Sequence, residues 1–542
     1  MTNAWAVLQD TASASTTVSR FFVLAGLAAA LTGCGGGGDG PNVVLDPPSS
    51  DWQQGVFLDR QTYAGRCASP RSGIDPATGL AYSDVQGSTV DENNFLRSHA
   101  NDTYLWYDEI VDRDPSLYND PLTYFDLLKT DATTASGQPK DKFHFTYDSL
   151  EYYQLSQSGI TAGYGAQWAL ISATPPREVR VAYTEPNSPA AAVNLLRGAT
   201  VLEVDGYDIN DTTQAGLDAI NEGLFSPTTG QQYNFRVLDV GGSIRAIAMT
   251  AEEITTAPVT NVQVFDRPSG RVGYMLFNDH IITAEGALVD AVNQLKDGQG
   301  IDDLVLDIRY NGGGFLFIAS ELAYMIAGDA ATAGEVFEEV EFNDKHPATN
   351  PVTGEALLPT PFYNSASGYD VLPGGQALPT LDLPRVYVLT GPGTCSASEA
   401  IMNGLRGVGI EVIQIGSTTC GKPYGFYPQE NCGTTYFTIQ FRGVNAAGFG
   451  DYTDGFSAAN QPNPGETIPG CSVADDFDSL LGDPGEARLA AALGYRETGQ
   501  CPAATGSAPP GISKTGVPLS IIDGTVPKAP WLMNRIMKKW PE

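Results

Sequence analysis

The spacing of apolar residues changes character several times along the chain. From residue 91, "ENNFLRSHANDTYLWYDEIV" and "DPLTYFDLLKT" place aromatic and aliphatic residues at helical intervals. This predicts a small helical domain over 91–155. Between 156 and 257 the runs shorten and alternate. "REVRVAYTE" reads as a strand. "ATVLEVDGYDI" reads as strand, Asp205-Gly206 turn and strand, and "QQYNFRVLDVGGSIRAIAMT" as a hairpin around Gly241-Gly242. "SPAAAVNLL" starts a short helix with Pro189 at the first helical position, and "TQAGLDAINEGL" is a second helix. From 258 to 500 strands and helices take turns: "RVGYMLF", "TAEGALVDAVNQL", "DDLVLDI", "FLFIASELAYMI", "PRVYVLTG", "EAIMNGL" and "IEVIQIG". Strand–turn–helix repeated in this way predicts βαβ units. The expected fold class is multidomain, α/β and α+β.

The two ends do not follow these periods. Arg20 precedes the apolar run "FFVLAGLAAALTG", which is too short to span a bilayer and has the length of a signal-peptide core. Leu31-Thr32-Gly33-Cys34 resembles a bacterial lipobox, which implies a signal over 1–33 and a lipid on Cys34. Residues 34–90 are rich in Gly, Pro, Ser and Asp and read as tether and loop. Gly35, where a retention aspartate would stand, implies by the same resemblance an outer-membrane lipoprotein facing the periplasm or cell surface. The tail, 501–542, carries many Pro and Gly and then a short amphipathic end.

Acidic residues outnumber basic ones 63 to 30, for a formal charge of -33. A nucleic-acid partner, which needs a basic footprint, is therefore not expected. Without Cys34 there remain Cys67, Cys395, Cys420, Cys432, Cys471 and Cys501, an even set that suggests disulfides in an exported chain. His99, His144, His280 and His346 form no metal-ligating motif, so neither a metal nor a cofactor is expected.

Three loops follow three strands of one expected sheet, and sites gather at the carboxyl ends of such strands. The first contains Gly312-Gly313-Gly314, which could form a tight turn or let a backbone approach a ligand. The second, "GTCSASEAIMNGLRG", has Ser396 and Glu399 in the S-x-x-E spacing of a capping box. A serine there also sits where helix N–H groups can stabilise an oxyanion. The third, "TTCGKPYGFYP", holds Lys422 among aromatics with no other charge. A desolvated lysine can act as a general base. Gly416 to Lys422 matches most of a P-loop, but Pro423 replaces the required Ser or Thr, so no nucleotide is expected.

"NSPAAAVNLLRGATVLEVDGYDI" resembles a PDZ domain, and "ITAGYGAQW" its carboxylate-binding loop. The resemblance implies that Tyr164, Gly165 and Ala166 offer backbone N–H groups to a peptide C-terminus. "LVLDIRYNGGG", "TCSASEA" and "GKPYG", in that order after the PDZ-like block, resemble the C-terminal processing peptidases, or tail-specific proteases. That resemblance covers roughly 90–500. It implies Ser396 as nucleophile, Lys422 as base, and the N–H groups of Gly313 and Ala397 as oxyanion donors. The implied substrates are exported or envelope polypeptides, engaged through a free C-terminus. Two features depart from the family. Phe426 stands where common members carry a glutamine four residues after the lysine, and the spacing from Ser396 to Lys422 is one residue longer. Cys395 and Cys420 flank the two candidates, and a disulfide between them would tether the loops. Two alternatives stay open: a catalytically silent, peptide-binding lipoprotein, and a Ser–His pair using His280.

Overall fold

The computed structural model describes residues 52–76, 78–158, 160–461 and 465–502, with 526, 528 and 535–537 of the tail. The expected signal segment, Cys34 and most of the tail lie outside the described residues. Trp52–Glu542 form one unit. Among the described residues no helix is long and apolar enough to cross a membrane.

Helix α1 (Thr89–Thr103) starts where Ser88 and Asp91 make reciprocal side chain–backbone bonds. Helix α2 (Pro121–Asp126) starts at Asp120, whose carboxylate accepts from two first-turn N–H groups. Phe95, Leu96 and Ala100 pack on Tyr124, Phe125 and Leu128, and the cluster continues onto Tyr436 far along the chain. The segment is thus built into the rest of the molecule. The expected helical segment is interrupted near its end: β1 (Phe145–Asp148) pairs antiparallel with Thr434–Phe437, and a helix then runs over Ser149–Ser158. The cause is visible in "FHFTYD", where aromatics alternate with the period of a strand. The stretch before α1 is also more than tether, because Cys67 is bonded to Cys432, 365 residues away. Arg97 of α1 holds it as well, donating to Val56 C=O at 2.9 Å.

The next block contains β2 (Ala166–Ser172), β3 (Glu178–Thr184), β4 (Thr200–Val204), α3 (Gln214–Phe225), β5 (Gln232–Leu238) and β6 (Ile244–Thr250). The sheet runs β6-β5-β4-β3-β2, so β2 is an edge. Val179, Val181, Val201, Val204, Phe235 and Val237 close on Leu217 and Ile220 of α3.

The larger sheet is built from β7 (Val259–Arg267), β8 (Gly270–Phe277), β9 (Asp303–Asp307), β10 (Arg385–Thr390), β11 (Glu411–Gly416) and β12 (Gly470–Cys471), in that spatial order. The first pair is antiparallel and the others parallel. Helices α4 (Ala284–Lys296), α5 (Leu316–Ala327) and α6 (Ala397–Gly407) cover one face, where Leu304, Leu306, Val386 and Val388 are buried. The alternate residues Val305, Tyr387 and Leu389 face the other side, against Leu489, Ala492 and the β2–β3 residues Ala169, Ala182 and Tyr183. Both faces are covered, which explains the unbroken apolar strands in the sequence.

Candidate active site

The loops after β9, β10 and β11 interlock. Thr394 Oγ1 donates to Ile308 C=O at 2.8 Å, and Ser398 Oγ to Asn311 C=O at 3.0 Å, tying the serine loop to the glycine loop. Cys420 N–H donates to Thr394 C=O at 2.9 Å, tying the lysine loop to the serine loop. Cys395 and Cys420 are joined by a disulfide with Cα atoms 5.1 Å apart.

Ser396 precedes α6 and is fully buried. An ordinary N-cap has extended backbone. Ser396 has φ 58° and ψ −112°, a sparsely populated conformation for a residue with a Cβ. A sharp strand-to-helix turn of this kind is how nucleophile elbows present a serine. Glu399, one turn into the helix, accepts from Ser396 N–H at 2.9 Å, which is one arm of the expected capping box. The same carboxylate also accepts from Thr419 Oγ1 at 2.5 Å, Gly421 N–H at 2.9 Å and Lys422 N–H at 2.8 Å. One buried group therefore holds the backbone of both Ser396 and Lys422. Burial pushes the Glu399 carboxyl up, and these four bonds oppose that shift.

Lys422 is fully buried. Its Nζ lies 4.4 Å from the Phe143 ring centre and 4.7 Å from that of Phe426. Ring faces attract an ammonium. Phe426, at the family's glutamine position, is thus a wall of the lysine site. Phe143 comes from the N-terminal segment, as does Lys142, which donates to Cys420 C=O at 3.1 Å. Burial lowers the Lys142 pKa.

Two expected donors differ in their surroundings. Ala397 N–H belongs to the first turn of α6, where N–H groups have no intrahelical acceptor. Gly313 N–H is instead committed to Asn311 Oδ1 at 3.0 Å, so in this conformation it is engaged within its own loop. Gly314 is held close to His280, where a Cβ would come within 2.4 Å of the His280 carbonyl oxygen. The His280 Nδ1 lies 2.9 Å from Asn311 Oδ1. Burial lowers its pKa to about 3, which makes it a poor base near neutral pH. His280 therefore supports the glycine loop through Asn311.

Tyr164, Gly165 and Ala166 lie just before and at the start of edge strand β2, away from the three loops in sequence. The Tyr164 carbonyl accepts from Ala190 N–H at 2.9 Å, and the Gly165 carbonyl from Glu185 N–H at 2.7 Å. Gly165 has φ +75°, and a Cβ there would meet Ser188 at 2.3 Å.

Residues 271–426 match the model of peptidase family S41, and residues 91–147 match the peptidase S41 N-terminal domain. Both stretches are thus similar to peptidase family S41. The first match spans all three loops and the second spans α1, α2 and the Phe143 segment. A carboxyl-terminal-processing protease of Picosynechococcus is 27% identical over 229 residues, 42% of this chain and 53% of that protein. One of Synechocystis is 26% identical over 171 residues, 31% of this chain and 38% of that protein. The chain thus spans about half the length, or less, of the curated relatives it matches. A solved protein of Bacteroides fragilis assigned to the S41 proteases shares the fold, with 21% identity and a TM-score of 0.55 over 75% of this chain and 97% of its own. Sequence reading missed two parts of this candidate site. Phe143 is remote in sequence and carries no local signal. Glu399 was visible only as a capping residue, not as the link between loops.

Proposed function

We propose that this chain is a serine endopeptidase of the C-terminal processing type, acting on exported or envelope polypeptides with a Ser396–Lys422 dyad. The observation that carries the reading is the convergence at Glu399, where one buried carboxylate accepts from the N–H groups of both Ser396 and Lys422. Ser396 Oγ attacks the peptide carbonyl carbon. Lys422, as the amine, takes the hydroxyl proton and returns it to the leaving nitrogen. Water then hydrolyses the acyl-enzyme by the same route. Ala397 N–H supplies one oxyanion contact. Gly313 N–H supplies a second only after it turns away from Asn311. The strained backbone at Ser396 supports the nucleophile over the plain helix cap, because a cap needs no such conformation.

The β2–β6 block is read as a PDZ-like domain. Its edge strand β2 and the loop at Tyr164, Gly165 and Ala166 would take a substrate C-terminus by strand addition. A lipid on Cys34 would anchor the enzyme to the envelope, probed by the mass of the mature N-terminus. The deciding experiment is cleavage of unfolded casein by the purified protein beside Ser396→Ala and Lys422→Ala. Loss of cleavage in both variants, with unchanged circular dichroism, is the expected result. Cleavage that survives in either variant would remove the dyad. Binding of peptides with free apolar C-termini, without any cleavage, would favour the silent receptor.

A further inference from the structure

The described part of the tail lies against the candidate site. Strand β13 (Arg535–Ile536) pairs in parallel with Gly314–Phe315, in the register Gly314 to Arg535 and Phe315 to Ile536. Ile536 also bridges Phe426, and Met537 N–H donates to Phe426 C=O at 3.3 Å. One side of the tail strand therefore meets the glycine loop and the other meets the residue whose ring faces Lys422. Ile536 is 1% exposed and belongs to the core that contains Phe315, Phe426 and Phe437. Upstream, Val526 is buried beside the second face of the large sheet. Lys528 Nζ donates to Asn278 C=O and to Asp279 Oδ1, each at 2.7 Å. The tail is thus anchored at two separated points, one ionic and one apolar.

We propose that the tail strand Arg535–Ile536 occupies, in cis, the track on which an extended substrate would lie, and competes with substrate for it; this rests on the peptidase reading above. Strand addition is carried by backbone groups, so one extended polypeptide can replace another. A tethered strand competes at the high effective concentration that its linkage provides. The state of the glycine loop fits occupation by a non-substrate. With the tail on Gly314 and Phe315, Gly313 N–H points to Asn311 and not to a carbonyl in the cleft. Displacement of the tail by substrate would free the loop to turn that donor outward.

The test uses the full chain with Ile536→Asp, which evicts the apolar anchor, and separately Lys528→Gln, which loosens the ionic one. Ile536→Asp is expected to lower KM for unfolded casein at least about fivefold with kcat little changed, and Lys528→Gln to lower it less. A synthetic peptide of residues 526–542 should inhibit Ile536→Asp competitively. An unchanged KM in both variants, with native circular dichroism, would overturn the proposal, as would a peptide that fails to compete. A second arm needs no catalysis. Labelled peptide 526–542 should bind saturably to the Ile536→Asp, Ser396→Ala chain and be released by casein, and amide exchange at Gly314, which pairs with Arg535, should be faster in Ile536→Asp than in the native chain. If no form cleaves casein, the peptidase reading fails, and the binding and exchange results still decide whether the tail holds this track.

Discussion

Arg309 and Lys422 are both buried basic side chains of the stretch that matches the S41 model, and their surroundings differ in kind. Arg309, at the foot of the glycine loop, donates to Asp307 Oδ1 at 3.0 Å and to Asp475 Oδ1 at 2.8 Å. It also grips Glu486 with both ends of its fork, at 2.8 and 2.9 Å. Burial works against the charge, and the carboxylates outweigh it, holding Arg309 well above the ordinary arginine value. Asp475 also receives Arg197 at 2.8 Å, so the network ties the β2–β6 block to the large sheet. Lys422 has ring faces on two sides. A guanidinium among carboxylates is a permanent charge and a fixed strut. An ammonium against rings can lose its proton without leaving those neighbours charged and bare. The first arrangement suits a platform, and the second is compatible with the base proposed for Lys422.

Exchanging the two basic side chains tests that contrast most severely. Lys422→Arg should keep the fold, since a guanidinium also stacks on aromatic rings, and should lower kcat by a factor of about 10³ or more because it cannot take a proton. Retained cleavage would deny Lys422 the role of base. Arg309→Lys keeps the charge but loses the fork to Glu486 and should cost roughly 3 kcal/mol in urea unfolding. Its kcat per folded molecule should stay close to native. A larger loss in kcat than in stability would mean that Arg309 is more than a strut.

The serine and lysine loops are held together twice, by Glu399 and by the Cys395–Cys420 bond, and removing one should expose the other. The Cys395→Ser, Cys420→Ser double variant should lose roughly 3–4 kcal/mol, the scale for a disulfide closing a loop of this length. Its casein cleavage should fall far less than in Lys422→Arg, because Glu399 still bonds Ser396, Gly421 and Lys422. Cleavage falling as far as in Lys422→Arg would make the disulfide the principal clamp.

The elements that sequence reading located best are those whose periodicity is buried on both sides. "DDLVLDI" and "PRVYVLTG" could be little else than central strands, and they are. The strand Phe145–Asp148 is signalled only by the short alternation in "FHFTYD", because its partner, Thr434–Phe437, lies almost 300 residues on. The same holds for Cys67, whose partner could not be chosen among six cysteines. At the site, "SASE" indicated both a cap and a nucleophile. Only backbone geometry distinguishes them, and φ 58° at Ser396 is not a property of composition or spacing. Phe426 was read as a missing glutamine, whereas its position is filled by a ring that faces Lys422 and a carbonyl that holds the tail. The tail itself looked uninformative because its role depends on a partner strand more than 200 residues away.

A third buried charge-bearing group extends the comparison to smaller effects. Glu185 is 2% exposed, and its Oε2 accepts from Ala257 N–H at 2.9 Å. Burial raises its pKa to about 7; the Ala257 bond and Lys528 of the tail oppose the shift, and Asp279 adds to it. The folded state thus holds this proton more tightly than the unfolded chain, whose glutamate titrates near 4.5. Its contribution to stability is full below that lower value and is lost as pH rises through about 7. Glu185→Gln removes the titration while keeping an acceptor for Ala257. Urea midpoints of the two proteins should therefore diverge from pH 5 to pH 8, with the variant gaining about 2 kcal/mol relative to native at the upper end. Parallel curves would mean that Glu185 is ionised in the fold throughout. With Lys528→Gln added, the native Glu185 loses a cation that opposes its protonation, so the divergence should widen if the tail is docked and stay the same if it is not. The titration of a residue outside the catalytic loops would then report on whether the tail is seated.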